Sequence, residues 1–195
     1  MIVITGTGRA GTTFLVSLFT LLGFRTGFSK EEVLKTNWGW KPGDVTRAGL
    51  EKEWWQDLDV VKSPSFCYSI HEIIEAKEVE CVLVPMRDLD KAAKSRIVNQ
   101  ERAGTTSPVA GGFIGGATDL ETQKRVLLEM VYSLCLSVAR SFVPVVFLEF
   151  PRFINDSGYL FRKLTEQAKI DLNSDDFNEA FTRLSRPELV ESWNE

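Results

Sequence analysis

The chain has 195 residues, 44% of them hydrophobic and 26% charged, ordinary values for one globular domain. A chain of this length buries roughly 70% of its unfolded surface, so it needs neither disulfide nor metal to hold a core. The longest apolar stretch without a charge, Phe14 to Phe24, spans 11 residues, too few to cross a bilayer. Met1 leads directly into Ile2-Val3-Ile4 with no basic segment before it, so a secretory signal is not expected. Three scattered cysteines, Cys67, Cys81 and Cys135, have no CxxC spacing and read as buried, reduced thiols. The expected location is the cytoplasm. A single histidine, His71, excludes a multi-histidine metal centre and leaves little material for a Ser-His-Asp triad.

Net charge is −4, unevenly spread. Seven of the 27 acids but only two of the 23 bases lie from Asp171 onward. Residues 1–170 therefore carry 20 acids and 21 bases, net +1. The acidic balance belongs to the C-terminal segment and leaves the main body open to an anionic ligand. No basic stripe with interleaved aromatics occurs, so nucleic acid is not an expected partner.

In chain order, four short apolar runs read as buried strands: residues 2–5, 59–62, 81–85 and 145–149. Helical spacing fills the intervals at 12–22, 64–77 and 90–102, the last opening at an aspartate cap. A long helix over 119–141 precedes the fourth strand, with Leu120, Leu127, Leu128, Val131, Leu134 and Val138 near one face. Residues 171–195 read as an acidic helical tail on a single domain whose core ends near 170. The alternation predicts an α/β fold, three layers α/β/α around a parallel sheet. Ligands of such sheets bind beyond the carboxyl ends of the strands.

After the first strand comes Gly6-Thr7-Gly8-Arg9-Ala10-Gly11-Thr12-Thr13-Phe14. Three glycines in six residues let the backbone curl around an anion, and the following helix contributes its positive N-terminal end. Against the nucleotide-binding pattern GxxxxGK[ST], Gly6, Gly11 and Thr13 fit, but Thr12 stands at the lysine position and Arg9 offers a cation instead.

Arg9-Ala10-Gly11-Thr12-Thr13 resembles the 5′-phosphosulfate loop of the sulfotransferases, [K/R]-x-G-T-T. These are P-loop-fold enzymes whose donor is 3′-phosphoadenosine 5′-phosphosulfate (PAPS). The segment Arg87-Asp88-Leu89-Asp90-Lys91-Ala92-Ala93-Lys94-Ser95 resembles the family's 3′-phosphate motif, R-[DN]-P-x-x-x-A-x-S, with leucine where proline is usual. Lys62-Ser63-Pro64-Ser65-Phe66 is similar to the K-S-P-x-[YF] segment of heparan-type and bacterial members. With Val146-Phe147-Leu148-Glu149-Phe150, the resemblance extends over residues 1 to about 170; the C-terminal basic, glycine-rich segment of cytosolic members has no counterpart, which favours the shorter bacterial-type architecture or a degenerate binder. It implies donor binding along Gly8, Arg9, Ala10, Gly11, Thr12, Thr13 and Phe14, the last stacking on adenine. It also implies a 3′-phosphate site at Arg87 and Ser95, and catalytic roles for Arg9 and Lys62 at the transferred group and the leaving 5′-phosphate.

The implied reaction is in-line transfer of a sulfuryl group from PAPS to an oxygen or nitrogen acceptor, balanced by Arg and Lys without a metal. The general base is not assigned: His71, Glu31, Glu32, Glu51 and Glu53 are the candidates, His71 on a helix that leads away from the strand end. Residues 104–118 hold five of the 14 glycines and read either as a lid over the acceptor or as a plain connection. Trp38, Trp40, Trp54 and Trp55 read either as acceptor-pocket lining or as half-buried packing. Two other readings stand beside this one: a P-loop kinase or NTPase using Glu149 as its carboxylate, and a catalytically silent nucleotide binder of the same fold.

Overall fold

In a computed structural model, which describes residues 1–35, 56–107, 109 and 111–185, all four apolar runs form strands. They are β1 (Ile2–Ile4), β2 (Val60–Lys62), β3 (Cys81–Met86) and β4 (Val145–Glu149). They lie in the order β2-β1-β3-β4, and each neighbouring pair is parallel. Parallel neighbours require long crossovers, and helices supply them. Helices α1 (Thr12–Leu21) and α2 (Lys30–Lys35) fall between β1 and β2, and α3 (Phe66–Ala76) between β2 and β3. Helices α4 (Leu89–Arg102) and α5 (Leu120–Val138) connect β3 to β4. After β4 come α6 (Arg152–Asn155), α7 (Ser157–Arg162), a π-helical turn over Lys163–Gln167, and α8 (Ser174–Leu184).

Side-chain alternation along these strands makes the layers. Ile2, Ile4, Val60, Leu83, Val146 and Leu148 enter one core with Leu15, Leu18 and Phe19 of α1 and Phe153, Leu160 and Leu164 beyond β4. Val3, Val61, Val82 and Val84 enter the other with Ile70 and Ile73 of α3, Ala92 and Ala93 of α4, and Leu127, Met130 and Leu134 of α5. Because both faces of β1, β2 and β3 are covered, these strands carry no solvent-facing side, whereas the edge strand β4 buries Val146 and Leu148 and leaves Phe147 and Glu149 exposed. The fold is three-layered α/β/α.

Four details depart from the expectations. The cap of α4 is Asp88, whose carboxylate accepts from the Lys91 N–H at 2.9 Å, while Asp90 pairs with Lys124 at 2.8 Å. On α5, Leu128 is 59% exposed, and Gln123, Val126 and Met130 complete the buried face instead. The wheel position of Leu128 lies about 100° from Leu127, outside the stripe that α3 and α4 cover. The acidic segment from Asp171 is not an appendage as far as Ser185. Helix α8 buries Phe177, Ala180, Phe181 and Leu184 in the same core as α1, and keeps Asp175, Asp176 and Glu179 outside. Its charge and its packing occupy opposite faces of one helix.

The fourth concerns the thiols: Cys67 and Cys81 are buried, but Cys135 is exposed on the outer face of α5. Burial pushes the Cys81 thiol up to about 12 and raises that of Cys67 as well. Among the described residues no helix is long and apolar enough to cross a membrane.

Two outcomes follow from this packing. A thiol reagent at neutral pH should label Cys135 rapidly, and Cys67 and Cys81 only when denaturant is added, as intact mass read against time will show. Phe177→Ala should destabilise the chain by about 3–5 kcal/mol in urea titrations, the cost of emptying a fully buried aromatic site.

Candidate functional site

β1 is the inner strand whose carboxyl end stands between those of β2 and β3. Its last residue, Ile4, pairs with Lys62 at the end of β2 and with Leu83 in β3. The Ser63 N–H donates to the Ile4 carbonyl at 3.3 Å, and the Thr5 N–H to the Leu83 carbonyl at 3.1 Å. The three segments that follow these strands therefore begin side by side.

From Gly6 the backbone curls through positive φ at Gly6, Gly8, Arg9 and Gly11, the last of these the N-cap of α1. Arg9 adopts φ 54°, a left-handed conformation unusual for a side chain of its size. The loop's carbonyls are held from outside. The Thr7 carbonyl accepts from Arg96 Nη2 at 2.6 Å, and the Arg9 carbonyl from Arg87 Nη1 at 2.9 Å. The Gly8 carbonyl accepts from the Thr7 hydroxyl at 3.3 Å. By contrast, the amides of Thr7, Gly8, Ala10 and Gly11 donate to no backbone carbonyl among the described residues. A curl whose carbonyls are bonded to side chains and which ends at a helix N-terminus has the form that receives an anion.

The glycines answer to space as well as torsion. A Cβ on Gly8 would lie 2.5 Å from Arg96 Nη2, and one on Gly11 would lie 2.7 Å from the Phe153 ring. Ala10 and Thr12 are buried beneath the curl, while Thr13 is half-exposed on the first turn of α1.

Arg9 runs from the loop along one face of α4. Its Nε donates to the Ser95 Oγ at 3.1 Å. Its far end lies near Asn99 and beneath Gly111, whose Cβ position would be 3.4 Å from Arg9 Nη1 and 3.2 Å from Asn99 Nδ2. Burial first, then the neighbouring cations Arg87 and Arg102, push the Arg9 guanidinium down to about 10. It is charged at neutral pH against the resistance of its surroundings. Arg87, half-buried beyond β3, has its carbon centre 5.0 Å from the centre of the Phe150 ring. Desolvation lowers its pKa too, with Asp88 partly offsetting this. Lys62 is 3% exposed at the end of β2.

The structure thus brings Gly8, Arg9, Ala10, Gly11, Thr12, Thr13, Arg87 and Ser95 together, with Lys62 at the adjoining strand end. Phe14 does not join them. Its ring is 4% exposed and meets Phe153 and Phe181 edge-on, because the third position of α1 faces the core under α6 and α8. Phe150, under Arg87, lies beside the loop instead, and with Phe153 it packs against the Cβ position of Gly11. His71 stands apart, half-exposed on α3 with Glu72 at 3.9 Å. Glu32 closes a capping box at the start of α2: its carboxylate accepts from the Ser29 N–H at 2.6 Å, and its own N–H donates to Ser29 Oγ at 3.2 Å. Glu31 occupies the first turn of that same helix. Glu51, Glu53, Trp38, Trp40, Trp54 and Trp55 lie outside the described residues.

Three contributors were not singled out from the sequence: Arg96, Asn99 and Gln100, all buried. Their signal was the spacing of 95, 96, 99 and 100 on a helix, which makes a polar stripe on α4 where an apolar one is usual. The glycine-rich stretch after α4 is irregular, as expected, and packs against this stripe. Among the described residues no group of three or more His, Cys, Asp or Glu side chains is placed to hold a metal ion.

Arg9→Met should stabilise the ligand-free protein by on the order of 1 kcal/mol in urea at pH 7, since it removes a buried cation crowded by two others. The guanidinium is charged in both folded and unfolded chains below pH about 10, so the gain should be constant there. It should shrink as the pH climbs from about 10 towards the unfolded value, where the folded wild-type group loses its proton first. Neither the models of known protein families nor the curated protein sequences give a match to this chain.

Proposed function

We propose that the chain is a sulfotransferase, taking the sulfuryl group of PAPS to a hydroxyl or amine acceptor. The observation that carries this reading is the junction of two distant segments. Arg9 Nε reaches Ser95 Oγ at 3.1 Å, and Arg87 Nη1 reaches the Arg9 carbonyl at 2.9 Å. These are the residues that resemble the two phosphate-binding motifs of one donor.

The residues fit such a ligand. Two desolvated guanidiniums, Arg9 being further opposed by Arg87 and Arg102, favour a polyanion, which relieves the repulsion and replaces lost hydration. The Ser95 hydroxyl accepts from Arg9 and retains its own proton to donate to a phosphate oxygen. Arg87 and Ser95 would hold the 3′-phosphate. Arg9, Lys62 and the amides around Gly11 would hold the 5′-phosphosulfate. When bound, PAPS supplies a sulfuryl group already activated on its 5′-phosphate. Arg9 and Lys62 then stabilise negative charge on the departing phosphate oxygen, and the curl keeps that oxygen in line.

The kinase or NTPase reading draws less support. Its candidate carboxylate, Glu149, is 66% exposed at the end of the edge strand, with Arg152 at 3.8 Å. Thr12, at the lysine position, is buried.

Adenosine 3′,5′-bisphosphate at 100 times its dissociation constant should stabilise the protein by about 2.7 kcal/mol, roughly 5–10 °C in thermal unfolding. ATP with Mg²⁺ should do much less, and stabilisation by ATP with Mg²⁺ alone overturns the proposal. Arg87→Ala should weaken the bisphosphate roughly 10- to 100-fold by calorimetry, the loss of a charge-assisted contact. A tight bisphosphate complex with no sulfate transferred from PAPS to any acceptor panel would favour the silent binder.

A further inference from the structure

Arg96 lies outside the residues that resemble the two phosphate motifs, yet it is 3% exposed and bonded at both ends of its fork. Nη2 donates to the Thr7 carbonyl of the phosphate loop at 2.6 Å, and Nη1 donates to the Gly112 carbonyl at 2.8 Å. The two carbonyls are 105 residues apart in the chain and share one planar group. Lysine cannot reproduce this, since its ammonium has no rigid fork. Gly8 leaves the room for it, its Cβ position lying on Nη2.

One turn further along α4, Gln100 holds the rest of the glycine-rich stretch. Its Nε2 donates to the carbonyls of Thr105 and Ser107 at 2.6 and 2.8 Å. Its Oε1 accepts from the N–H groups of Val109 and Phe113 at 3.4 and 3.3 Å. A single primary amide thus closes the stretch on itself with all four of its bonds. From α5, Gln123 Oε1 accepts from the Ile114 N–H at 3.1 Å. Gly111 is thereby set down over the end of Arg9.

We propose that Arg96 is a positioning residue that makes the order of the glycine-rich stretch and the anion-binding shape of the phosphate loop one event. Through Gln100 the stretch folds; through Arg96 its fold fixes the Thr7 carbonyl and turns the loop's amides toward the donor. The stretch is then a condition of donor binding as well as a cover. This rests on the proposed function only in taking the loop's ligand to be the donor; the link between the two segments is independent of it.

The test is a double-mutant cycle in the ligand-free protein, with Gln100→Leu, Arg96→Met and the pair, read by amide hydrogen exchange in the glycine-rich stretch and by backbone amide resonance shifts in the phosphate loop. Gln100→Leu should speed exchange of the bonded amides of residues 112–114 on the order of tenfold, and shift the amide resonances of residues 7–11 with them. In the Arg96→Met background, Gln100→Leu should still free residues 112–114 but no longer shift the resonances of residues 7–11. Arg96→Lys should behave as Arg96→Met does. Exchange of the β3 amides, unchanged throughout, verifies that the variants are folded. Should a variant fail this check, Gln100→Glu replaces Gln100→Leu and Arg96→Lys replaces Arg96→Met. Loop resonances indifferent to Gln100→Leu, or equally sensitive to it with and without Arg96, overturn the proposal. Binding of adenosine 3′,5′-bisphosphate is measured separately, and its failure in the wild type counts against the donor assignment and not against the coupling.

Discussion

Parallel pairing of β1 with β2 on one side and β3 on the other is the constraint on which the rest depends. It aligns three carboxyl ends at one edge, so that segments separated by up to about 80 residues of sequence leave the sheet as neighbours. The strands are only three to six residues long. Their register is secured by burial on both faces, where a shift by one residue would exchange every side chain between two full cores. Rigidity at this edge is what allows a loop of small residues to hold a defined shape without a side-chain core of its own.

The loop itself is shaped by donors outside it. Successive positive φ angles turn the chain, but a curl of that kind has as many carbonyls as amides, and either set can face inward. Arg87 and Arg96 decide between them by binding the carbonyls of Arg9 and Thr7. Cations are used here as scaffold, and the cost appears at Arg9, buried among like charges. Such a site stores unfavourable electrostatics in the ligand-free chain, which on the proposed function an anion releases. Helix α4 is the common support. Its stripe of Ser95, Arg96, Asn99 and Gln100 meets Arg9 on one side and the glycine-rich stretch on the other.

Much of this was legible in the residues. β1, β2 and β3 were readable because two-sided burial leaves apolar runs, β4 because its residues are apolar up to Glu149 although one side is exposed, and the loop because Gly6, Gly8 and Gly11 follow the first strand directly. Arg9, Arg87 and Ser95 were readable through their spacing against known motifs. Phe14 was misplaced because one position on α1 decides between the mouth of the loop and the core, and spacing from a glycine does not set that angle. Charge alone makes the segment after Asp171 look like a tail, although Phe177, Phe181 and Leu184 mark an apolar face.

The sequence by itself determined the layered α/β fold, the order of its elements and the identity of the cationic residues, since these rest on local periodicity and short-range spacing. Only the tertiary structure decided which of those residues meet. That Arg96 spans Thr7 and Gly112, that Arg9 lies under Gly111, and that Phe150 rather than Phe14 flanks the loop are all contacts between distant segments. Such contacts depend on strand order and on the rotation of each helix about its axis, and no local pattern encodes either.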